Sequence, residues 1–196
     1  MSRSLDLAAG LFEVAIGRFD AVNAEDPRQE GGQPHELVYA RRMTGWLERL
    51  APDAPEELRL AARAQHIGRW RLPRGGFPEG RAGYKRWRSE CARMHADIAA
   101  GIMTEVGYGA DSVQRVRDLL TKKRLAHDPD VQALEDTACL VFLEHDFAAF
   151  AQKHERDKLV DIVRKTWAKM SERGRAAAAG LALPADLAAI VAEAVG

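Results

Sequence analysis

The sequence predicts a single all-α domain over residues 1–196, a bundle of about seven to eight helices. Almost every segment repeats its apolar residues at the 3.6-residue period of an amphipathic helix, and no alternating run with hairpin turns indicates a sheet. The stretch TACLVFL (137–143) is apolar on every side, which is typical of a helix at the centre of a bundle. We place the core at about residues 5–172 and a C-terminal helical extension at about residues 173–196.

The first three helices follow from apolar stripes and start signals. One stripe runs over residues 11–22, and the polar, Gly-rich segment EDPRQEGGQP separates it from a second helix, whose first turn suits Pro34. Asp53 followed by Glu56 resembles the capping box of a third helix. The segment RLPRGGFPEGRAG then predicts a long loop, because Pro and Gly disfavour regular structure.

The later helices have clearer boundaries. A fourth helix is predicted from about residue 84 to residue 106, where Gly107 and Gly109 end it. Asp111 or Ser112 caps a short fifth helix, and Asp128 followed by a proline starts the sixth. Two further helices fill the C-terminal part of the chain, and the last of them opens at Pro184.

Composition excludes several classes of protein. The 29 Lys and Arg residues balance 29 Asp and Glu residues, so the chain is neither a uniformly basic nucleic-acid coat nor an acidic disordered tail. Two cysteines, Cys91 and Cys139, lie in apolar stretches and are expected to be buried thiols in a reducing compartment. The N-terminal segment lacks the features of a signal peptide, and no stretch approaches 18 uncharged apolar residues. We therefore expect a cytoplasmic protein without a membrane span.

The zero net charge conceals two oppositely charged stretches. Residues 69–93 hold eight Arg or Lys residues against two Glu residues, with aromatic residues between them, whereas residues 128–146 hold six acidic residues and no Lys or Arg. Arginine forks match phosphate oxygens, so the first stretch is a candidate anion-binding surface, and its loop 72–83 could fold over a pocket. The candidate substrate-binding residues are Arg69, Arg74, Arg81, Lys85 and Arg88. A solvated basic face, or ion pairing between the two stretches, would explain the same pattern.

Three histidines, His35, His66 and His95, fall on predicted apolar helices, and Glu135 and Asp136 precede the apolar run. A carboxylate at the mouth of a buried helix must be paired, hydrogen-bonded or bound to a cation. Imidazole nitrogens together with carboxylate oxygens suit Zn, Mn, Fe or Ni. The alternative for each histidine is an ordinary core or surface residue.

The order of these residues resembles the HD-domain superfamily, an all-helical group of metal-dependent phosphohydrolases with a His…His-Asp…Asp motif. Laying the Ile-Gly of AQHIG on that motif puts Gln65 at the family's second His and His66 at its Asp. The early His then corresponds to His35, and the late Asp to Asp136, or to Glu135 if the register differs by one. Gln is a poor ligand for a transition metal, and His95 could supply the missing one.

A closer resemblance covers nearly the whole chain and rests on five strings: HELVYARRMTGWLERL, LAARAQHIGRW, LPRGGFPEGRAGYKRWR, LEDTACLVFLEHDF and IVRKTWAKMS. These are similar to an uncharacterised bacterial and fungal family named only as a domain of unknown function. Some of its members carry a glutamyl-tRNA synthetase label, but this sequence has no synthetase signature and no dinucleotide-binding pattern.

Our leading hypothesis is a metal-dependent phosphohydrolase of the HD-like class that acts on a small phosphorylated metabolite or nucleotide. A divalent metal (Mn, Fe, Zn, Ni or Co) would lower the pKa of a bound water, and arginines would neutralise the phosphate. The expected metal ligands are His35, His66 and Asp136, with His95 as an additional one. Glu135 or Glu144 would orient the water.

Two other functions remain open. An HD-like di-iron oxygenase would recruit further ligands such as His145, and a non-catalytic module would use the basic pocket to bind an anionic metabolite, a nucleotide or a partner protein. Duplex nucleic acid is not an expected partner, because the chain shows no helix-turn-helix signature. The sequence leaves a homo-oligomer open.

Overall fold

The computed structural model describes residues 2–123 and 127–196, with side chains from residue 10 onward, and the described chain is almost entirely helical. Its ten α-helices are α1 (Ser2–Asn23), α2 (His35–Leu50), α3 (Glu56–Ala64), α4 (Gly80–Val106), α5 (Ala110–Leu120), α6 (Pro129–Val141), α7 (Phe147–Ala151), α8 (Arg156–Lys169), α9 (Glu172–Ala179) and α10 (Ala185–Val195). Two short 3-10 turns, Arg69–Arg71 and Arg74–Gly76, follow α3, and a π turn (Phe142–Asp146) joins α6 to α7. The predicted all-α class is confirmed.

One small hairpin departs from the expectation of no sheet. Strands β1 (Gln29–Glu30) and β2 (Gln33–Pro34) pair antiparallel within the segment predicted as a linker. Gly31 and Gly32 between them have φ angles of 57° and 76°, the left-handed conformation that a tight two-residue hairpin turn requires. The hairpin ends directly at α2, and so fixes where that helix begins.

The start of α6 was predicted correctly from its capping side chain. The carboxylate of Asp128 accepts hydrogen bonds from the backbone N–H groups of Asp130 and Val131, as expected for the start of α6. The capping box predicted for α3 is wrong, because Pro55 occupies the N-cap position without any side-chain bond. Gly109 likewise occupies the N-cap position of α5, where Asp111 or Ser112 was expected.

The main core lies among helices α1 to α6, with contributions from α9. Its fully buried side chains include Phe19, Met43, Leu60 and Met103. Helix α6 contacts α2, α3, α5, α8 and α9, and its Leu140 is completely buried. The apolar run is therefore central, as its all-round hydrophobicity predicts.

A second, smaller apolar cluster joins α7, α8 and α10, around Phe147, Val163 and Ile190. Helix α9, which the sequence did not predict as a separate element, packs on α6 and contributes Ala178 to the main core. The two cysteines are free and buried. Within the described ranges, no helix has both the length and the apolar character that crossing a bilayer demands.

Candidate functional site

A cavity of about 370 Å³ opens where the end of α3, the middle of α4 and the end of α5 meet. Four cationic side chains line it: Arg69, Arg88, Arg93 and Lys122. Among its described lining residues there is no Asp or Glu. The cavity therefore presents positive potential to anything that enters it, and this favours an anionic ligand.

Two of these cations lack a carboxylate partner within ion-pair distance in the described chain. The Arg69 guanidinium lies over the Trp87 ring, 4.7 Å from its centroid, and contacts the His66 imidazole. The Arg88 guanidinium donates only a long hydrogen bond, 3.5 Å, to the Tyr84 hydroxyl among the described groups. Both arginines therefore keep hydrogen-bond donors that an anion could accept.

The other two cations are already paired with acids. Arg93 contacts Glu90 on the exposed face of α4, and Lys122 contacts Glu135 from α6. Among the described residues, no ion pair joins the basic stretch 69–93 to the acidic stretch 128–146. Mutual ion pairing therefore does not explain the two stretches. The acidic stretch reaches one cation of the cavity, through the pair of Glu135 with Lys122, and it leaves Arg69 and Arg88 unpaired in the described chain.

His66 connects the cavity to a buried carboxylate. A guanidinium can only donate, so the contact with Arg69 Nη1 makes His66 Nε2 an acceptor and leaves the proton on Nδ1. Nδ1 lies 3.5 Å from Glu36 Oε2, and the ring stacks on Tyr39 with centroids 3.9 Å apart. Burial and the neighbouring Arg69 hold the pKa of His66 well below its ordinary value, so the imidazole is neutral.

Glu36, in the first turn of α2, is the buried acid of this cluster and is 1% exposed. Burial alone would raise its pKa, but the hydrogen bond from Arg28 and the neighbouring His35 and His66 hold that pKa well below the ordinary value. Arg28 donates to Glu36 Oε1 and also to both carboxylate oxygens of Asp26. Glu36 is therefore a charged carboxylate, and its second oxygen, Oε2, has no hydrogen-bond partner.

His35 lies beside Glu36 and next to the hairpin. Its Nδ1 is 3.8 Å from Glu36 Oε1, and its Nε2 is 3.8 Å from Glu30 Oε2. In the described part of the chain, Asp26, His35 and Glu36 are the only group of three residues whose metal-ligating atoms all lie within 4.8 Å of one another. The nearby Glu36 carboxylate raises the pKa of His35.

His95 and Gln65 line the cavity, and each has a buried acceptor without a partner. His95 Nδ1 lies 2.7 Å from the Ile67 carbonyl oxygen, which accepts a hydrogen bond from the Nδ1–H group, so Nε2 carries a lone pair and has no partner. Burial lowers the pKa of His95 to about 4, so the ring stays neutral at pH 7. Gln65 Oε1 is likewise buried and without a hydrogen bond.

The structure does not bring Asp136 to the histidines, as the proposed metal motif required. Its Oδ1 accepts hydrogen bonds from Gln132 Nε2 at 3.0 Å and from the Ser171 backbone N–H at 2.9 Å, and its Oδ2 accepts from the Ser171 hydroxyl. Ser171 is the N-cap of α9. The Asp136 carboxylate thus anchors the start of a helix instead of facing His35 and His66.

The other predicted acids have partners elsewhere. Glu135 contacts Lys122 and lies 3.8 Å from Lys169 Nζ. Glu144 accepts a 2.6 Å hydrogen bond from Trp46 Nε1 and lies 2.9 Å from His145 Nε2. Neither acid is among the residues that line the cavity, where the catalytic roles assigned to them would place them.

Of the five predicted substrate-binding residues, Arg69 and Arg88 line the cavity and three do not. Arg74 donates to the carbonyl oxygens of Phe77 and Pro78 and so folds its own loop. Arg81 and Lys85 are exposed on the first turns of α4. The loop 72–83 does not cover the cavity, because none of its residues lines it.

Besides Glu36, three residues of the region escaped the sequence reasoning. Arg93 lay in the basic stretch but was not singled out, and Lys122 gave no signal, because it reaches the cavity from the end of α5. Asp146, on the π turn, has its pKa raised by burial, and His35 and Arg42 act against that rise. Its place at the end of the acidic stretch was the only sequence feature that could have pointed to Asp146.

Comparison with known proteins gives one finding. Residues 13–191 match a family model described as Domain of unknown function (DUF4202). Neither the curated proteins nor the solved structures gave a match.

Proposed function

The chain belongs to this family, and from that premise and the residues of the cavity we propose that it binds a small phosphorylated compound. The observation that carries the proposal is the cavity itself, which has four cationic side chains and no acid among its described lining residues. A phosphate group carries up to two negative charges and several strong acceptor oxygens, which suits clustered guanidinium groups.

The state of the two arginines supports a phosphate in preference to a single carboxylate. Arg69 and Arg88 are both without a carboxylate partner among the described residues, and both retain unused N–H groups. A phosphate offers enough oxygens to accept from both forks at once. The cavity volume of about 370 Å³ falls within the usual range for small-molecule sites.

Calorimetry with inorganic phosphate and a panel of small phosphorylated compounds tests this function. We expect Arg88→Gln to weaken binding by about tenfold or more, because a charge-assisted bond contributes about 1.5–3 kcal/mol. Lys85→Gln is the matched control: it removes the same charge from the same helix outside the cavity, and it should leave binding nearly unchanged. Equal losses in the two variants, or no phosphate binding by the unaltered protein, would refute the proposal.

A second candidate function is metal-dependent hydrolysis of the phosphoester, which the Glu36 cluster favours. His35 and His66 each approach the Glu36 carboxylate, and two potential ligand atoms, Glu36 Oε2 and His35 Nδ1, are buried without a hydrogen bond. This nitrogen and oxygen donor set fits a divalent transition metal. Asp26, His35 and Glu36, whose ligand atoms lie within 4.8 Å of one another, would hold the ion, in place of the Asp136 of the sequence-based motif. His66 has no free lone pair for it, because Nδ1 carries the proton and Nε2 accepts from Arg69.

In this candidate function, the position of each residue determines its role in the reaction. A bound metal would polarise the phosphoryl group and lower the pKa of a water molecule. Glu36 keeps the proton of His66 on Nδ1, and His66 Nε2 contacts Arg69 at the cavity. Arg69 and Arg88 would neutralise the charge that develops on the phosphate.

Elemental analysis of the purified protein, combined with a phosphatase assay on a phosphoester panel after addition of Mn²⁺, Zn²⁺ or Ni²⁺, tests this second candidate. Glu36→Gln should abolish both metal binding and turnover while phosphate binding persists. Glu105→Gln, which removes an exposed ion pair with Arg18 outside the cavity lining, is the control. Turnover that survives Glu36→Gln would remove Glu36 from the catalytic site.

A further inference from the structure

The side of α4 that lines the cavity continues beyond it as an exposed cationic strip, formed by Arg81, Lys85 and Arg88. These residues follow one another at intervals of four and three positions, so they share one side of the helix, and all three are exposed. Arg88 also lines the cavity, so the strip and the cavity meet at this residue. At the helical rise of about 1.5 Å per residue, Arg81 lies roughly 10 Å from Arg88 along the helix axis.

The charges of the cationic strip are not neutralised by neighbouring acids. Glu79 at the N-cap and Glu90 are the acids nearest in sequence, and neither forms an ion pair with the strip. Glu90 lies on another side of α4 and pairs there with a different arginine. In the described part of the chain, Arg81 and Lys85 form no ion pair and Arg88 donates only its long hydrogen bond. The strip therefore extends the positive potential of the cavity along the surface.

An exposed aromatic ring lies beside the cationic strip. Tyr84 is 45% exposed, and it is the only exposed aromatic side chain among the described residues. Its ring packs against Trp87, with centroids 5.8 Å apart. Trp87 is itself fixed, because its Nε1 donates a 2.9 Å hydrogen bond to the Leu72 carbonyl oxygen and the Arg69 guanidinium lies over its ring. Tyr84 is thus supported from below while much of its ring remains open to a stacking partner.

Charge and stacking together favour a single-stranded nucleic acid as the partner. Its phosphates repeat along one chain, so a strand with one phosphate in the cavity brings the next phosphates to the cationic strip. Its unpaired bases have free faces that stack on aromatic side chains. The bases of a duplex are already paired and stacked, and neither polyphosphate nor a phospholipid headgroup carries a base. None of these other polyanions would use Tyr84 as a stacking platform.

We propose that the protein binds single-stranded nucleic acid, with one phosphate in the cavity, the following phosphates along Arg81 and Lys85, and a base stacked on Tyr84. This inference rests on the proposed phosphate-binding function and adds the class of ligand. Recognition by charge and stacking tolerates any base, so binding should depend on the length of the strand more than on its sequence.

Calorimetry on the full chain compares a six-nucleotide oligo(dT) carrying a 5′-phosphate with thymidine 5′-monophosphate and inorganic phosphate. At low salt we expect the hexamer to bind about tenfold more tightly than the mononucleotide, or better. The logarithm of its affinity should fall with the logarithm of the salt concentration with a slope of about −2 to −3, as three or four phosphate contacts give. Equal affinities for hexamer and mononucleotide would overturn the inference and leave the phosphate-binding function standing. If none of the three ligands binds, both proposals fall together.

Charge variants locate the strand on the cationic strip. Arg81→Gln and Lys85→Gln should each weaken hexamer binding by about threefold or more and lower the salt slope by about 0.7, while mononucleotide binding is unchanged. Arg86→Gln is the matched control, because it removes the same charge from an exposed position on another side of α4. Equal losses in Arg86→Gln would show that the hexamer responds to overall charge and would overturn the placement.

Tyr84 variants test the stacked base. Tyr84→Ala should weaken hexamer binding by about fivefold or more, Tyr84→Phe should keep it, and a linear polyphosphate of six phosphates should bind Tyr84→Ala as it binds the unaltered protein. Hexamer binding that survives Tyr84→Ala would remove the stacking contact. A twelve-base-pair duplex, or vesicles of phosphatidylserine and phosphatidylcholine, that bound more tightly than the hexamer would overturn the assignment to a single strand.

Discussion

His66 Nδ1 lies 3.5 Å from Glu36 Oε2, so a neutral imidazole joins a buried, charged carboxylate to a cavity rich in cations. The carboxylate is held from three directions, by Arg28, His35 and His66. This relationship gives Glu36 both a structural role and a role in orienting His66. Different measurements report on the two roles.

The structural role of Glu36 predicts a loss of stability in Glu36→Gln. We expect the free energy of unfolding to fall by about 1–3 kcal/mol, because a buried charge-assisted bond to Arg28 is lost. Urea unfolding measures the change. Glu105→Gln, which removes an exposed ion pair with Arg18, should cost less than about 1 kcal/mol. A Glu36→Gln variant as stable as the unaltered protein would contradict this prediction.

The buried imidazole of His95 predicts that stability falls between about pH 6.5 and pH 4. Its folded-state pKa of about 4 lies below the ordinary value of 6.5, so the unfolded chain takes up a proton that the folded protein does not. The associated stability is complete above pH 6.5 and is lost as the pH falls, by roughly 2 kcal/mol from pH 7 to pH 5. Denaturant unfolding at the two pH values should show a smaller pH-dependent loss in His95→Asn than in the exposed-site variant His127→Asn.

Asp136 is predicted to stabilise the protein without contributing to ligand binding. Asp136→Asn weakens the bonds to Ser171 and so loosens the start of α9, at a cost of about 1–2 kcal/mol. Hydrogen exchange should rise in residues 172–179 before it rises in α4. Phosphate affinity should stay within about twofold of that of the unaltered protein. A tenfold loss would show that Asp136 contributes to ligand binding and would contradict the prediction.

The close approach of α9 to α6 predicts opposite effects of alanine at two helical glycines. A Cβ atom at position 174 would lie 2.6 Å from Asp136 Cγ, so Gly174→Ala should destabilise the protein by about 1–3 kcal/mol. A Cβ atom at Gly101, within α4, would meet no atom within 4 Å outside its own helix backbone, and Gly101→Ala should be neutral or stabilise the helix by up to about 1 kcal/mol. Thermal melting of the two variants measures both effects, and a stable Gly174→Ala would show that the helices can separate at no cost.

The helices could be predicted from the sequence because apolar periodicity reports directly on burial, as the position of α6 shows. Starts were predicted less well, since Pro55 and Gly109 occupy N-cap positions in extended backbone without a side-chain bond. An N-cap residue without a side-chain hydrogen bond does not belong to the residue types by which a helix start is recognised in a sequence. Asp128, which does bond to the helix, was identified correctly.

The site could be predicted only in part from the sequence. His35 and His66 were identified and both lie against Glu36, an acid that the motif comparison passed over. Asp136 was misplaced because its partner Ser171 lies 35 residues along the chain. Lys122 itself has a left-handed backbone conformation, with a φ of 54°, and no local sequence pattern predicts that conformation for a lysine.

The π turn at Phe142–Asp146 affects the geometry of the site through its spacing. In a regular α-helix, residues two apart project to nearly opposite sides and do not meet the same neighbour. Yet Glu144 bonds to Trp46, while Asp146 is within electrostatic range of His35 and Arg42, all three of them on α2. The wider ring of the π turn allows two acids this close in sequence to interact with residues at different positions along one partner helix. Deleting a single residue here would rotate everything downstream by about 100° about the helix axis. The small α7–α8–α10 cluster and the Asp146 carboxylate would then both lose their present orientation.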